Sequence, residues 1–158
     1  MSSLFFQQSL FAVVGASDDR GKFGNKVLRC YKQHGFSAVP INKRSSVIEE
    51  IPCEPSLTEW CQKLSATGNN LTSNINEDAH DASKNKIKTI GVSIITSPGV
   101  TKLIIEEGLS LGIKHFYLQP GTYDSETDDY ILSKKKDFGS DLNIVKSCVL
   151  IDLGFNDI

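Results

Sequence analysis

Apolar residues along the chain fall into short unbroken runs that alternate with stretches of helical spacing. Ser9 to Val14 is almost wholly apolar, the pattern of a parallel strand covered on both faces, and it stops at Gly15. A helix follows, with Val27, Leu28 and Tyr31 on its apolar face and Gly35 as its stop after His34. Phe36 to Ile41 predicts a second strand, in which Pro40, having no N–H to donate, prefers an edge or a strand end. Val47 to Ile51 predicts a short outer strand, and from Ser56 onward Leu57, Trp60, Cys61 and Leu64 recur at i, i+3, i+4 and i+7 of a helix. Between Ser65 and Lys86 the composition turns to Asn, Ser, Thr, Asp and Lys, which predicts a mobile polar surface insertion. The same alternation then resumes, so the insertion does not divide two domains. Ile87 to Ile95 predicts a strand. The next helix is entered through Ser97 and Pro98, buries Leu103, Ile104, Leu109 and Leu111, and ends at Gly112. Lys114 to Leu118 predicts another strand, followed by the turn QPGT. Ser125 with Asp128 resembles a capping box opening a helix towards Phe138 and Gly139, and Leu142 to Val145 closes as the last strand.

This alternation argues for one α/β domain over residues 1–158, a doubly wound parallel sheet of order 3-2-1-4-5-6 with helices on both faces. Ligands of such sheets bind at the carboxyl ends of the strands, around the topological switch point. That rule makes Gly15 to Gly24, Asn42 to Arg44 and Thr96 to Pro98 converge, with Gln119 to Gly121 nearby.

The first of these segments carries GxSxxxGxxG, longer than the dinucleotide GxGxxG turn and with Ser17 where the second glycine would sit. Gly15, Gly21 and Gly24 let the backbone approach a ligand, and the helix behind them offers N–H groups to an anion. An ordinary strand-to-helix turn uses the same residue types. NAD enzymes place Asp or Glu at the end of the second strand, whereas this chain has Asn42, Lys43 and Arg44. Two adjacent cations suit an additional ribose phosphate, which CoA carries at the 3′ position and NADP at the 2′ position; the bland alternative is a solvated basic loop. Thr96, Ser97 and Pro98 have a local role in starting a helix, and Gln119, Pro120 and Gly121 in forming a turn. Cys148 faces either a bound thiol arm or the core, as a small hydrophobe.

A net charge of −2 with dispersed basic residues leaves no nucleic-acid footprint and no polybasic membrane patch. No apolar run is long enough to span a membrane, and MSSLFFQQSLF lacks the features of a signal or transit peptide, so a cytoplasmic protein is expected. The four cysteines show no metal-ligand spacing and are expected as reduced thiols. No nucleophile elbow, Walker lysine or metal cluster is present in the sequence, so neither a catalytic residue nor a metal is expected.

Taken together, VVGASDDRGKFGNKV, VPIN, CEPSL, SIITSPGVT, FYLQPGTYD and the late KSC resemble the stand-alone CoA-binding protein family, related to the CoA-binding domain of succinyl-CoA synthetase alpha subunits. The resemblance implies a Rossmann-like, three-layer fold with coenzyme A or an acyl-CoA lying across the strand-end loops. It implies that Gly15, Ala16 and Ser17 approach the phosphates, that Lys22, Phe23 and Gly24 border the nucleotide, and that Asn42 and Lys43 sit near the ribose or its phosphate. Ile95, Thr96, Ser97 and Pro98 would line the other wall, with Gln119 beside them. Lys43 stands where the family often has proline. The synthetase's phosphorylated histidine lies in a second domain that this chain lacks, and His34, His80 and His115 match no family motif, so ligase activity is not implied. An NADP-dependent oxidoreductase is the runner-up. A non-catalytic subunit is the third reading, with the polar insertion as the surface for a protein partner or a second copy.

Overall fold

The computed structural model describes residues 3–72 and 89–158. In chain order its elements are α1 (Ser3–Phe6), β1 (Leu10–Val14), α2 (Phe23–Gln33), β2 (Ala38–Ile41), β3 (Val47–Ile48), β4 (Ile51–Pro52), α3 (Leu57–Thr72), β5 (Ile90–Ile94), α4 (Pro98–Ser110), β6 (His115–Leu118), α5 (Ser125–Phe138) and β7 (Asn143–Lys146). A short 3-10 turn, Gly139–Asp141, precedes β7, and a π-helical turn, Leu150–Gly154, follows it. Most of the polar insertion, from residue 73 to residue 86, lies outside the described residues, whereas its first part continues α3 as far as Thr72.

Five parallel strands form the sheet in the order β2-β1-β5-β6-β7. Side chains alternate across it. Ala12, Val14, Ile90, Val92, Ile94, Phe116 and Leu118 pack under α3, α4 and α5, while Phe11, Val13 and Tyr117 pack under α1 and α2. The second face is aromatic: Phe5, Phe6, Phe11, Tyr31, Phe36 and Tyr117 meet at ring-centroid distances of 5.1 to 6.3 Å. Gly91 makes room for it, since a Cβ there would lie 2.9 Å from the Phe5 ring. Burying one such ring contributes about 1.5–3 kcal/mol. The α1 turn, which the sequence pattern did not predict, exists because Phe5 is driven into this cluster.

The expected doubly wound α/β fold is found, with one correction at its edge. Val47 to Ile51 does not form an outer strand of the sheet but folds back as the antiparallel pair β3-β4. Glu49 and Glu50 take φ values of 49° and 68°, so the run reverses in a tight turn instead of extending. All that reaches the edge of β2 is one parallel bridge at Glu54, whose N–H donates to the Pro40 carbonyl at 3.0 Å and whose carbonyl accepts from the Asn42 N–H at 3.0 Å. Pro40 therefore has its missing N–H directed away from β1 and costs the sheet no bond.

Two helices also differ in detail. On α4 the buried seam is Thr101, Ile105 and Gly108. Leu103 is exposed, and Ile104, Leu109 and Leu111 are only partly buried. Gly108 sets this rotation, because a Cβ there would lie 2.7 Å from the Phe116 ring, which occupies that space. The capping box of α5 is Asp124 with Thr127, one residue before the expected pair. Hydrogen bonds from the Thr127 N–H and hydroxyl, both at 2.9 Å, hold the Asp124 carboxyl below its ordinary value of 3.8. A depressed carboxyl adds stability above its unfolded pKa and loses it as pH falls through the folded value. Asp124→Ala is accordingly expected to lower the melting temperature at neutral pH, with the gap to the wild type closing below about pH 4, as thermal denaturation across that range would show.

Candidate functional site

The chain leaves β1 towards β2 on one side and returns to β5 on the other, so the switch point lies between β1 and β5. The turn after β1 is locked there. Gly15 has φ +97°, and a Cβ on it would fall 2.1 Å from the Ile95 carbonyl oxygen. A Cβ on Gly24, in the first turn of α2, would fall 2.0 Å from the Gly15 carbonyl oxygen. Only two glycines let α2 rest against this turn while the turn rests against the end of β5. Gly21 has more room, its Cβ position lying 3.3 Å from a side-chain atom, the Asp19 carboxylate oxygen.

The end of β2 joins through Asn42, whose side-chain amide donates to the Ala16 carbonyl at 2.9 Å while its Oδ1 accepts from the Arg44 and Ser45 N–H groups at 2.7 and 2.8 Å. Asn42 thus fixes its own loop and ties it to the β1 turn. Lys22, Phe23, Lys43 and Arg44 are exposed, and Lys22, Lys43 and Arg44 make no ion pair among the described residues. The acidic neighbours organise the loop: Asp19 accepts from the Gly21 N–H at 2.9 Å, and Asp18 accepts from the Ser45 hydroxyl at 3.4 Å. Ser17, whose Oγ accepts from the Asp19 N–H at 3.1 Å, is half-buried.

The N-cap positions of α2 and α4, Lys22 and Ser97, make no side-chain capping bond, whereas α5 is capped by its own carboxylate. In α2 the Lys22 N–H donates to the Asp19 carbonyl at 3.0 Å and the Asn25 N–H to the Lys22 carbonyl at 3.2 Å, so Phe23 and Gly24 carry the N–H groups that a helix start leaves without an intrahelical acceptor, and the ends of α2 and α4 flank the switch point with their dipoles positive towards it. Pro98 occupies the first turn of α4 as expected. Thr96 and Ile95 are half-buried and Ser97 is exposed, with the Thr96 hydroxyl 2.8 Å from that of Thr101.

Gln119 is placed differently from the rest. It is buried, and its side chain turns to the end of β7, where Oε1 accepts from the Val149 N–H at 2.7 Å and Nε2 donates to Cys148 Sγ at 3.5 Å. Its backbone still meets β5, with the N–H donating to the Ile94 carbonyl at 3.2 Å. Cys148 is half-buried beneath it. Cys30, Cys53, Cys61 and Cys148 are all free thiols. Burial, and then the neighbouring Cys148, pushes the Cys30 thiol up to about 11, which leaves it protonated and unreactive at neutral pH. Sequence reasoning missed Asn25 and Arg29, two buried polar residues on α2 that hold the β1 loop from behind. Their spacing of i and i+4 on an apolar helix face was the available signal.

Sheet order and switch point define a doubly wound, Rossmann-like α/β protein. The chain belongs to the CoA binding domain family, whose model matches residues 9–154. Membership supports binding of coenzyme A and gives NADP no support. Among solved structures, a hypothetical protein from Pyrococcus horikoshii OT3 is similar, with 22% identity, a TM-score of 0.66 and coverage of 95% of this chain and 84% of that one. A conserved hypothetical protein from Pyrococcus furiosus shares 20% identity with a TM-score of 0.63, covering 92% of this chain and 98% of that one. A Thermus thermophilus protein shares 17% identity with a TM-score of 0.64, covering 95% and 91%. At these identities the likeness concerns the fold. A search of the curated proteins finds no match. Among the described residues, no helix is long and apolar enough to cross a membrane.

Proposed function

We propose that the protein binds coenzyme A or an acyl-CoA across the carboxyl ends of β1, β2 and β5, as a binding module. The observation that carries this reading is the closure of the Gly15 turn between Gly24 and Ile95, which brings that turn and the first turn of α2, whose N-cap makes no side-chain bond, side by side at the switch point. Backbone this close to a ligand needs no side chain to bind phosphate. In this reading the Gly15–Ser17 turn and Phe23–Gly24 hold the pyrophosphate, and Lys22 supplies positive charge beside it. Lys43 and Arg44, positioned by Asn42, read the ribose phosphate. Ile95 to Pro98 form the opposite wall, and Gln119 shapes that wall from beneath through the β5 and β7 ends.

The test is a competition titration of CoA, acetyl-CoA, dephospho-CoA, NADPH and NADH against the purified protein. CoA and acetyl-CoA are expected to saturate, dephospho-CoA to bind more weakly, and NADH to be silent. A preference for NADPH would move the protein to the reductases. Silence with all five ligands would overturn the binding reading altogether.

A further inference from the structure

Behind the glycine turn lies a buried polar network that none of the strand-end rules anticipates. Arg29 of α2 is 5% exposed and uses its guanidinium in three directions. Nε donates to Asn25 Oδ1 at 2.6 Å, one terminal nitrogen donates to the Asp157 carboxylate at 2.9 Å, and the other donates to the Arg20 carbonyl at 2.9 Å. The ring of Phe155 stacks 5.1 Å from the guanidinium carbon. Asn25, fully buried, passes the contact on: its amide donates to the Ser17 carbonyl at 2.9 Å and to the Glu49 carboxylate at 3.2 Å. Both ends of the segment Ser17 to Arg20 are therefore held through one side chain, Ser17 by way of Asn25 and Arg20 directly.

A buried guanidinium is costly unless every direction is matched, and here it is matched by a carboxylate, an amide oxygen, a carbonyl and an aromatic face. Asp157 and Phe155 lie beyond the residues 9–154 that match the family. The segment bearing them is laid along α2 by two further reciprocal bonds, Gln33 Nε2 donating to the Asn156 carbonyl at 2.6 Å and the Asn156 N–H donating to Gln33 Oε1 at 3.1 Å. Arg29 and Asn25 thus serve the carbonyls at the two ends of the loop, while inside it the Asp19 N–H donates to Ser17 Oγ at 3.1 Å and the Gly21 N–H to the Asp19 carboxylate at 2.9 Å, so the whole loop is held in one shape.

We infer that Arg29, held by Asp157 and Phe155, is a positioning residue that presets the Ser17–Arg20 loop for the pyrophosphate, coupling residues 155–157 to ligand affinity. The inference rests on the binding reading above for its effect on CoA, but its effect on the loop stands apart from it. Arg29→Lys keeps the charge and loses the three-way fork. It is expected to weaken CoA and dephospho-CoA by the same factor, about tenfold, because both carry the pyrophosphate that a displaced loop would misplace. Amide exchange from Ser17 to Lys22 in the ligand-free variant should quicken in parallel. Asp157→Asn, whose side chain is largely exposed, gives a variant that keeps the fold and should shift both ligands about threefold in the same direction. A merely structural Arg29 would lower the melting temperature while leaving both dissociation constants and loop exchange unchanged, and that result overturns the inference. So does a loss confined to CoA. A wild-type protein silent towards CoA would overturn the binding reading instead, and unchanged loop exchange in Arg29→Lys would then overturn this one as well.

Discussion

Gly24→Ala is expected to lower the melting temperature by about 6–12 °C and to weaken CoA binding at least about tenfold. Helix propensity alone points the other way, since alanine in a helix is worth about 1 kcal/mol over glycine. The new Cβ, however, would stand 2.0 Å from the Gly15 carbonyl oxygen and 3.2 Å from the Ala16 Cα. Both are backbone atoms, so no rotamer change relieves the contact. Either α2 withdraws from the sheet, opening the core under Val27 and Leu28, or the Gly15 turn is pushed onto Ile95. Overpacking of this kind costs about 3 kcal/mol, which at about 2–4 °C per kcal/mol for a chain of this size gives the stated shift. Gly99→Ala provides the contrast. Nothing lies within 4 Å of its Cβ position, so the first turn of α4 should accept alanine with an unchanged or slightly higher melting temperature. Thermal denaturation of the two variants, with CoA titration of the first, decides the matter; a Gly24→Ala protein as stable as the wild type would refute the close approach.

Replacing both Lys43 and Arg44 with alanine should abolish the preference for CoA over dephospho-CoA, with CoA weakened about 30–900-fold and dephospho-CoA changed by less than about threefold. Each charge-assisted phosphate contact is worth about 1–2 kcal/mol, and a factor of ten is 1.4 kcal/mol. The pair is preset at little entropic expense, because Asn42 Oδ1 already holds the Arg44 and Ser45 N–H groups. Neither cation has an ion-pair partner among the described residues to give up. Added salt should erode the wild-type preference in the same direction. Equal losses for both ligands, measured by calorimetry, would show that the cations act as a general field and not as readers of the extra phosphate.

The strands were legible because a parallel strand buried on both faces is a continuous apolar run, and LFAVV and IGVSI are such runs. The convergence of Gly15, Ala16 and Asn42 followed from topology alone, since strand ends of one parallel sheet share an edge, whereas Ile95 was implied by the family resemblance. Other features left no local mark or depended on partners distant in sequence. Whether Val47 extends or turns back is settled at Glu49 and Glu50, whose left-handed backbone has no marker such as Asn-Gly. The rotation of α4 is set by a ring on the neighbouring strand, which outweighs the count of leucines on the helix. Gln119 was placed at the right loop, yet the direction of its side chain depends on Val149, thirty residues on. Arg29 has its carboxylate partner 128 residues away, beyond the reach of any local pattern.

Pro40 carries a consequence away from the strand-end loops. A sheet edge with free N–H and C=O groups is a template on which another chain can add a strand, and fibrillar aggregates grow by that route. At the β2 edge proline removes one donor, Glu54 takes up the neighbouring Asn42 N–H and the Pro40 carbonyl, and β3 and β4 pair with each other instead of extending the sheet. The residue that looked out of place in a strand thus protects this edge of the sheet from growth by strand addition, just before the loop that carries Lys43 and Arg44.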